Sequence, residues 1–183
     1  MSLCVLVGQE KPRKSYRKSL ANYNDFKMLV EEVDDYRKQR LIDLNTFIAA
    51  SKEVHTIILD TRSEYRFTKK HIKGAIHLSF SDFTQDNLQK LIPNPNTKIL
   101  IYCNNNFYGD QIHFTSKIVK PRITTEKKVG GFLVSEHKKP ITLALNIPTF
   151  INLYGYGYKN VYELDELVYV NDDRIEFEGT DIK

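Results

Sequence analysis

Lys98-Ile99-Leu100-Ile101-Tyr102-Cys103-Asn104-Asn105-Asn106-Phe107-Tyr108-Gly109-Asp110 opens as a short apolar run and ends in a polar loop, with a cysteine at the junction. A helix is predicted to begin near Asp110. In an open α/β sheet, ligands sit off the carboxyl ends of the strands. A loop that enters a helix start turns backbone N–H groups and the positive end of the helix dipole toward whatever lies there. Such partial charges lower a thiol's pKa and favour the reactive thiolate, which makes Cys103 the first candidate nucleophile. Free cysteines are also often buried structural residues, and the stretch alone leaves both readings open.

The chain around it has 183 residues, enough for one domain with a full core. Hydrophobic residues at 41% and charged ones at 27% are ordinary for a globular protein, which leaves charge distribution as the more informative feature. The net charge of +4 is unevenly spread. Lys11, Arg13, Lys14, Arg17 and Lys18 have no acid between them, whereas the segment from Glu163 onward is dominated by acids. No nucleic-acid recognition motif accompanies the basic run, so nucleic acid is not the expected partner. Of the two cysteines, Cys4 lies in the terminal segment, so no disulfide framework is expected and Cys103 reads as a free thiol. No stretch reaches the roughly 18 apolar residues of a membrane helix. Leu3-Cys4-Val5-Leu6-Val7-Gly8-Gln9 reads either as the remnant of a signal peptide or as a loose hydrophobic end. Periplasmic or secreted and cytoplasmic locations therefore both stay open.

Working outward, residues 10–21 read as a flexible polar arm. From Asn22 to Gln39, Phe26, Leu29, Val30, Val33 and Tyr36 recur at the spacing of an amphipathic helix, capped by Asn24 or Asp25. This helix is expected on the outside of the domain, as an appendage or an oligomer contact. Arg40–Asp43 is a strand candidate, and Asn45 reads as the cap of a helix with Phe47, Ile48 and Ala49. Val54–Asp60 is almost uniformly apolar, as in a parallel strand buried on both faces. A short helix over Thr61–Phe67, a turn and strand over His71–Leu78, and a helix ended by Pro93 and Pro95 lead to the strand before Cys103.

Leu59-Asp60-Thr61-Arg62 with Glu64-Tyr65, followed by His71-Ile72-Lys73-Gly74-Ala75-Ile76-His77-Leu78, resembles the first signature of the rhodanese family. Ile101-Tyr102-Cys103 resembles that family's strand into its active-site loop, and Tyr158-Lys159-Asn160-Val161-Tyr162-Glu163-Leu164 its closing Gly-Tyr-x-Asn-Val-Tyr-x-Leu pattern. The resemblance implies an α/β fold with a mostly parallel five-stranded sheet and helices on both faces, here preceded by an extra N-terminal helix. The expected organisation is a basic arm over 1–21, a helical extension over 22–39, and a rhodanese-like domain over 40–170. An insertion at about 119–143 interrupts that domain, and an acidic tail covers 171–183. Between 117 and 140 the chain carries seven Lys/Arg and two Glu, with Gly130-Gly131 in the middle. A lid or a docking element for a protein partner is one reading of so long an excursion, and a plain surface insertion the other. Asp110–Val119 is predicted helical up to Pro121, with the helix resuming at Pro148. Arg174–Glu178 alternates as an edge strand would.

The resemblance also implies a chemistry: sulfane-sulfur transfer through a persulfide on Cys103, between a small sulfur donor and an acceptor thiol. The loop Asn104, Asn105, Asn106, Phe107, Tyr108 and Gly109 would offer backbone N–H donors to the sulfur. The asparagines are expected to tolerate left-handed backbone. Asp60 and Arg62 are expected to hold one another or the loop in place. Active loops of this family commonly carry Arg or Lys close to the cysteine, and none stands between Cys103 and Asp110. Poor use of thiosulfate follows. The same gap, with Gly109 where a phosphate-clamping Arg would stand, argues against phosphatase or arsenate reductase chemistry. A non-catalytic binding module for a protein partner or an anion is the alternative. The histidines form no ligand set and there is no glycine-rich phosphate loop, so neither metal nor cofactor is expected.

Overall fold

The computed structural model describes residues 16–119, 126–129, 132–135, 141–142 and 144–182. Cys4, the Lys11–Lys14 run, the apolar start and Gly130-Gly131 lie outside them. Five strands form the main sheet: β1 (Leu41–Ile42), β2 (Thr56–Asp60), β4 (Ala75–His77), β5 (Lys98–Tyr102) and β11 (Val161–Leu164). Their order is β1-β11-β5-β2-β4, and every neighbouring pair is parallel. β5 is therefore central, flanked by β11 and β2, and Cys103 follows its last residue.

Strand period 2 sends alternate residues of β5 to opposite faces. Leu100 and Tyr102 enter one core with Ile58, and Ile99 and Ile101 enter the other with Leu59. The first core is covered by α2 (Leu44–Ser51) through Leu44, Phe47 and Ala50, and by the C-terminal segment through Val168, Val170 and Ile175. The second is covered by α1 (Tyr23–Lys38), α4 (Gln85–Leu91) and α5 (Asn146–Gly155) through Val33, Leu88, Phe150 and Leu153. Helices lie on both faces, as the family resemblance implies. A fifth helix, α3 (Glu64–Lys69), follows β2. Among the described residues no helix is long and apolar enough to cross a membrane.

α1 is built into this second core. Val33 is 1% exposed, Leu29 and Tyr36 pack beside it, and Phe26 and Val30 stay in solvent. The helix approaches α5 so closely that a Cβ at Gly155 would lie 2.9 Å from Leu29 Cδ2. Its cap is Asn22, whose side chain accepts from Asn24 N–H; α2 is likewise capped earlier than predicted, by Asp43 on Thr46 N–H.

Asp110–Val119 is not a helix. One i→i−4 bond, Phe114 N–H to Asp110 O, closes a single turn, and the chain then enters β7 (Ile118–Val119). Thr115, Ile118 and Val119 are β-branched, and Lys120 precedes Pro121, which disfavours the helical conformation there. β7 pairs antiparallel with β10 (Ile141–Thr142), and β8 (Glu126–Val129) with β9 (Phe132–Ser135), so the described residues of the excursion form two antiparallel strand pairs. β13 (Phe177–Glu178) does not join the main sheet; it pairs antiparallel with β3 (His71–Ile72). Glu178 accepts from Gly74 N–H and meets His71 Nε2, tying the tail to the β3–β4 turn.

Candidate active site

Cys103 caps a single 3-10 turn, Asn104–Asn106. The turn is held from within: Asn106 Oδ1 accepts from Cys103 N–H at 2.8 Å, and Asn106 Nδ2 donates to Leu164 O at 2.7 Å. Asn105 N–H donates to Cys103 Sγ at 3.4 Å, and Asn105 Oδ1 accepts from Lys117 N–H. None of the three asparagines is left-handed; within the loop only Gly109 is, at φ 92°. The expectation of an αL asparagine cradle is corrected, because the side-chain bonds of Asn106 give the turn an ordinary right-handed geometry.

The rest of the predicted loop turns away from the sulfur. Phe107 is 1% exposed and packs in the first core against Phe114 and Phe177. Phe107 and Tyr108 form β6, which pairs with β12 (Val168–Tyr169), and the Tyr108 ring lies tilted against that of Tyr169 at the surface. The helix whose start faces Cys103 is α5, far along the chain, not one at Asp110. The backbone N–H groups of Leu145 and Asn146 at its N-terminus act on the sulfur together with that of Asn105, each favouring the anion. Of these, the Asn105 N–H lies within hydrogen-bond distance of the sulfur.

Burial works against them and prevails. Cys103 is 2% exposed, and removal from water raises its thiol pKa above the ordinary value despite the three amides. The lowered pKa expected from the loop is therefore corrected. Two further observations explain the outcome. Cys103 Sγ–H donates to Asn146 Oδ1 at 3.3 Å, which satisfies the thiol form. The Glu163 carboxylate adds a smaller repulsion to the sulfur anion.

Glu163, 1% exposed on β11, was not singled out in the sequence, and neither were Asn146 and Arg37. Arg37 at the end of α1 forks onto it, Nε to Oε2 and Nη2 to Oε1, both at 2.6 Å. Asn146 Nδ2 donates to Glu163 Oε1. The available signals were a carboxylate inside an otherwise apolar strand, which demands a partner, and Asn146-Ile147-Pro148 at a helix start.

Asp60 and Arg62 form a second buried unit on the other side of β5. Arg62 Nη2 donates to Asp60 Oδ2 at 2.6 Å and to Lys70 O at 2.7 Å. Its Nη1 donates to Asn104 Oδ1 and His113 O, and Tyr102 Oη–H donates to Asp60. The guanidinium is spent inside the protein and holds the loop by Asn104 and the following turn by His113. A cavity of about 290 Å³ is lined by Asn105 and Asn146, the two residues that hydrogen-bond the sulfur, with Glu163, Asp165, Glu166 and Arg37. Three carboxylates face one guanidinium there, so an anion entering the cavity meets net negative charge.

Residues 43–117 match the family model described as Rhodanese-like domain. That segment is similar to rhodanese-like domains. Among solved structures, the BH2092 protein from Bacillus halodurans is 23% identical, over 42% of this chain and 57% of that one, at a TM-score of 0.32. This chain thus spans just over half of that protein's length, and a likeness at that score carries no argument. No curated protein matches significantly. The rhodanese-like match contains Cys103 and its turn but neither Arg37, nor Asn146, nor Glu163.

Proposed function

We propose that this rhodanese-like domain is a sulfurtransferase that carries sulfane sulfur on Cys103 and takes it from an organic persulfide or a protein-bound persulfide, using thiosulfate poorly. The observation that carries this reading is a strand-end sulfur that accepts from Asn105 N–H at 3.4 Å and lies against the first residue of α5, Asn146, at 3.3 Å, an arrangement suited to a sulfur anion. The Cys103 thiolate attacks the outer sulfur of R–S–SH, the donor's S–S bond breaks, and R–S⁻ leaves. Cys103 then holds –S–SH. An acceptor thiolate attacks that outer sulfur, takes it with its proton, and regenerates the Cys103 thiolate, with no net oxidation or reduction. The acid-rich cavity and the fully engaged Arg62 favour a neutral or thiol-type donor over thiosulfate.

A second reading, a non-catalytic binding module, draws on the 2% exposure of Cys103 and the raised pKa of its thiol, since inert cysteines are the buried ones. Intact-mass spectrometry after incubation with cysteine persulfide separates the two, with Cys103→Ser alongside. A gain of one sulfur, absent in the variant and removed by cyanide, supports the carrier. An unchanged mass overturns it in favour of the binding module.

A further inference from the structure

We propose that Glu163, clamped by Arg37, fixes the Asn146 amide with its oxygen turned to Cys103 Sγ, so that the resting sulfur is held as an S–H donor. Glu163 and Arg37 are then positioning residues for a thiol that neither of them hydrogen-bonds. The inference deepens the sulfur-carrier reading and rests on it for its functional meaning.

The argument is one of donor and acceptor identity. An ionised carboxylate only accepts, and an amide side chain donates from nitrogen and accepts at oxygen. Arg37 occupies both Glu163 oxygens from one side at 2.6 Å, and Asn146 Nδ2 donates to Oε1 from the other. The opposite end of the amide, Oδ1, is left facing Sγ at 3.3 Å. A thiolate there would set two acceptors against one another. For Cys103 to ionise comfortably, the amide must turn over, and it can do so only by giving up its bond to Glu163 or by meeting a Glu163 that has gained a proton. Among the described residues, the charged groups acting on Glu163 are Arg37 from α1 and Asp165 beyond β11, and the one acting on Cys103 is Glu163 itself. Burial raises the Glu163 carboxyl's pKa, Asp165 adds to that, and Arg37 opposes both. The latch thus depends on a helix that lies outside the family match.

The test is the pH profile of Cys103 alkylation by iodoacetamide in the full chain, with Cys4→Ser so that one thiol reports. E163Q removes the charge and leaves one oxygen for the three donors that Arg37 and Asn146 direct at this side chain, so the bond that fixes the Asn146 amide is weakened. The released Asn146 amide can then turn its N–H to the sulfur. The expected result is a profile displaced by about one pH unit to lower pH, and a rate at neutral pH about tenfold higher. An E163Q protein that melts cooperatively yet keeps the parent profile overturns the proposal. Should E163Q fail to fold, the unsubstituted protein still decides it by NMR. The Asn146 side-chain amide protons are expected to exchange slowly and to shift at the midpoint of the Glu163 titration. Fast exchange, or shifts that ignore that midpoint, overturns the latch. Neither readout needs sulfur transfer. A displaced profile in a protein that accepts no sulfur keeps the latch and removes the carrier, and a persulfide with an unmoved profile does the reverse.

Discussion

Around Cys103, three backbone amides favour the anion while burial, the Asn146 oxygen and the Glu163 carboxylate favour the thiol, and the second set wins. Arg37 is the residue on which that balance turns. Arg37→Met leaves Glu163, 2% exposed in its side chain, without its counter-charge. Breaking a buried pair by removing one partner costs about 3 kcal/mol or more, and the 21% exposure of Arg37 places this case at the low end. Urea melts at neutral pH should register that loss. The deficit should also depend on pH. With Arg37 gone, the folded-state pKa of Glu163 stands further above its unfolded value of 4.5. The stability that goes with its proton is then fully present below 4.5 and lost as pH rises through the folded value. Melts of Arg37→Met should therefore approach the parent's as pH falls toward 4.5, and a pH-independent gap would contradict the argument. Cys103 was legible in the sequence because a strand-end cysteine is a local pattern. Asn146, 43 positions away, was not, because no local pattern says which helix start will face a strand end.

The elements were readable where one physical demand dominated. β2 and β5 are buried on both faces and so carry continuous apolar runs. The helix expected at Asp110 failed because its first turn is well made, by Asp110 on His113 N–H, while its continuation is β-branched. Arg174–Glu178 does alternate, but only Phe177 and Glu178 pair, since the tail is anchored further on. Thr180 N–H donates to Thr68 O and Asp181 N–H to Lys69 O. Gly179 makes that docking feasible at φ 139°, with a Cβ there only 2.4 Å from Lys69 O. Gly179→Ala should destabilise the protein by more than about 1 kcal/mol and speed tryptic cleavage after Arg174. An unaltered digestion rate would show that the tail is not held at this point. Asp181 adds an acid-sensitive tie: Lys69 first, then His113, holds its carboxyl at about 2, below the ordinary 3.8. The tie is therefore complete above 3.8 and lost as pH falls through about 2. Hydrogen exchange at the Thr180 and Asp181 amides should accelerate over that interval.

For the molecule as a whole, the family match, the sheet and the site are three different extents of chain. The match covers residues 43–117, whereas the sheet closes with β11 and the sulfur's surroundings draw on Arg37, Asn146 and Glu163. A protein that begins at Arg40, without α1 but with β1, should lose α1's contribution, at least about 3 kcal/mol from Val33 burial and the Arg37 pair together. Its near-UV circular dichroism should flatten, since α1 covers the core that α5 and β5 share. A truncated chain with unchanged cooperativity would return α1 to the role of an appendage. The excursion from β7 to β10 stands in the sequence between the cysteine turn and the helix that faces it, so the site joins two segments the sequence keeps far apart. The most direct measurement is the intact mass of the full chain after separate exposure to cysteine persulfide and to thiosulfate. The expected result is one cyanide-labile sulfur on Cys103 from the persulfide, little from thiosulfate, and none in Cys103→Ser. Loading by thiosulfate as complete as by the persulfide would contradict the acid-lined cavity's role, and no sulfur from either donor would contradict the carrier itself.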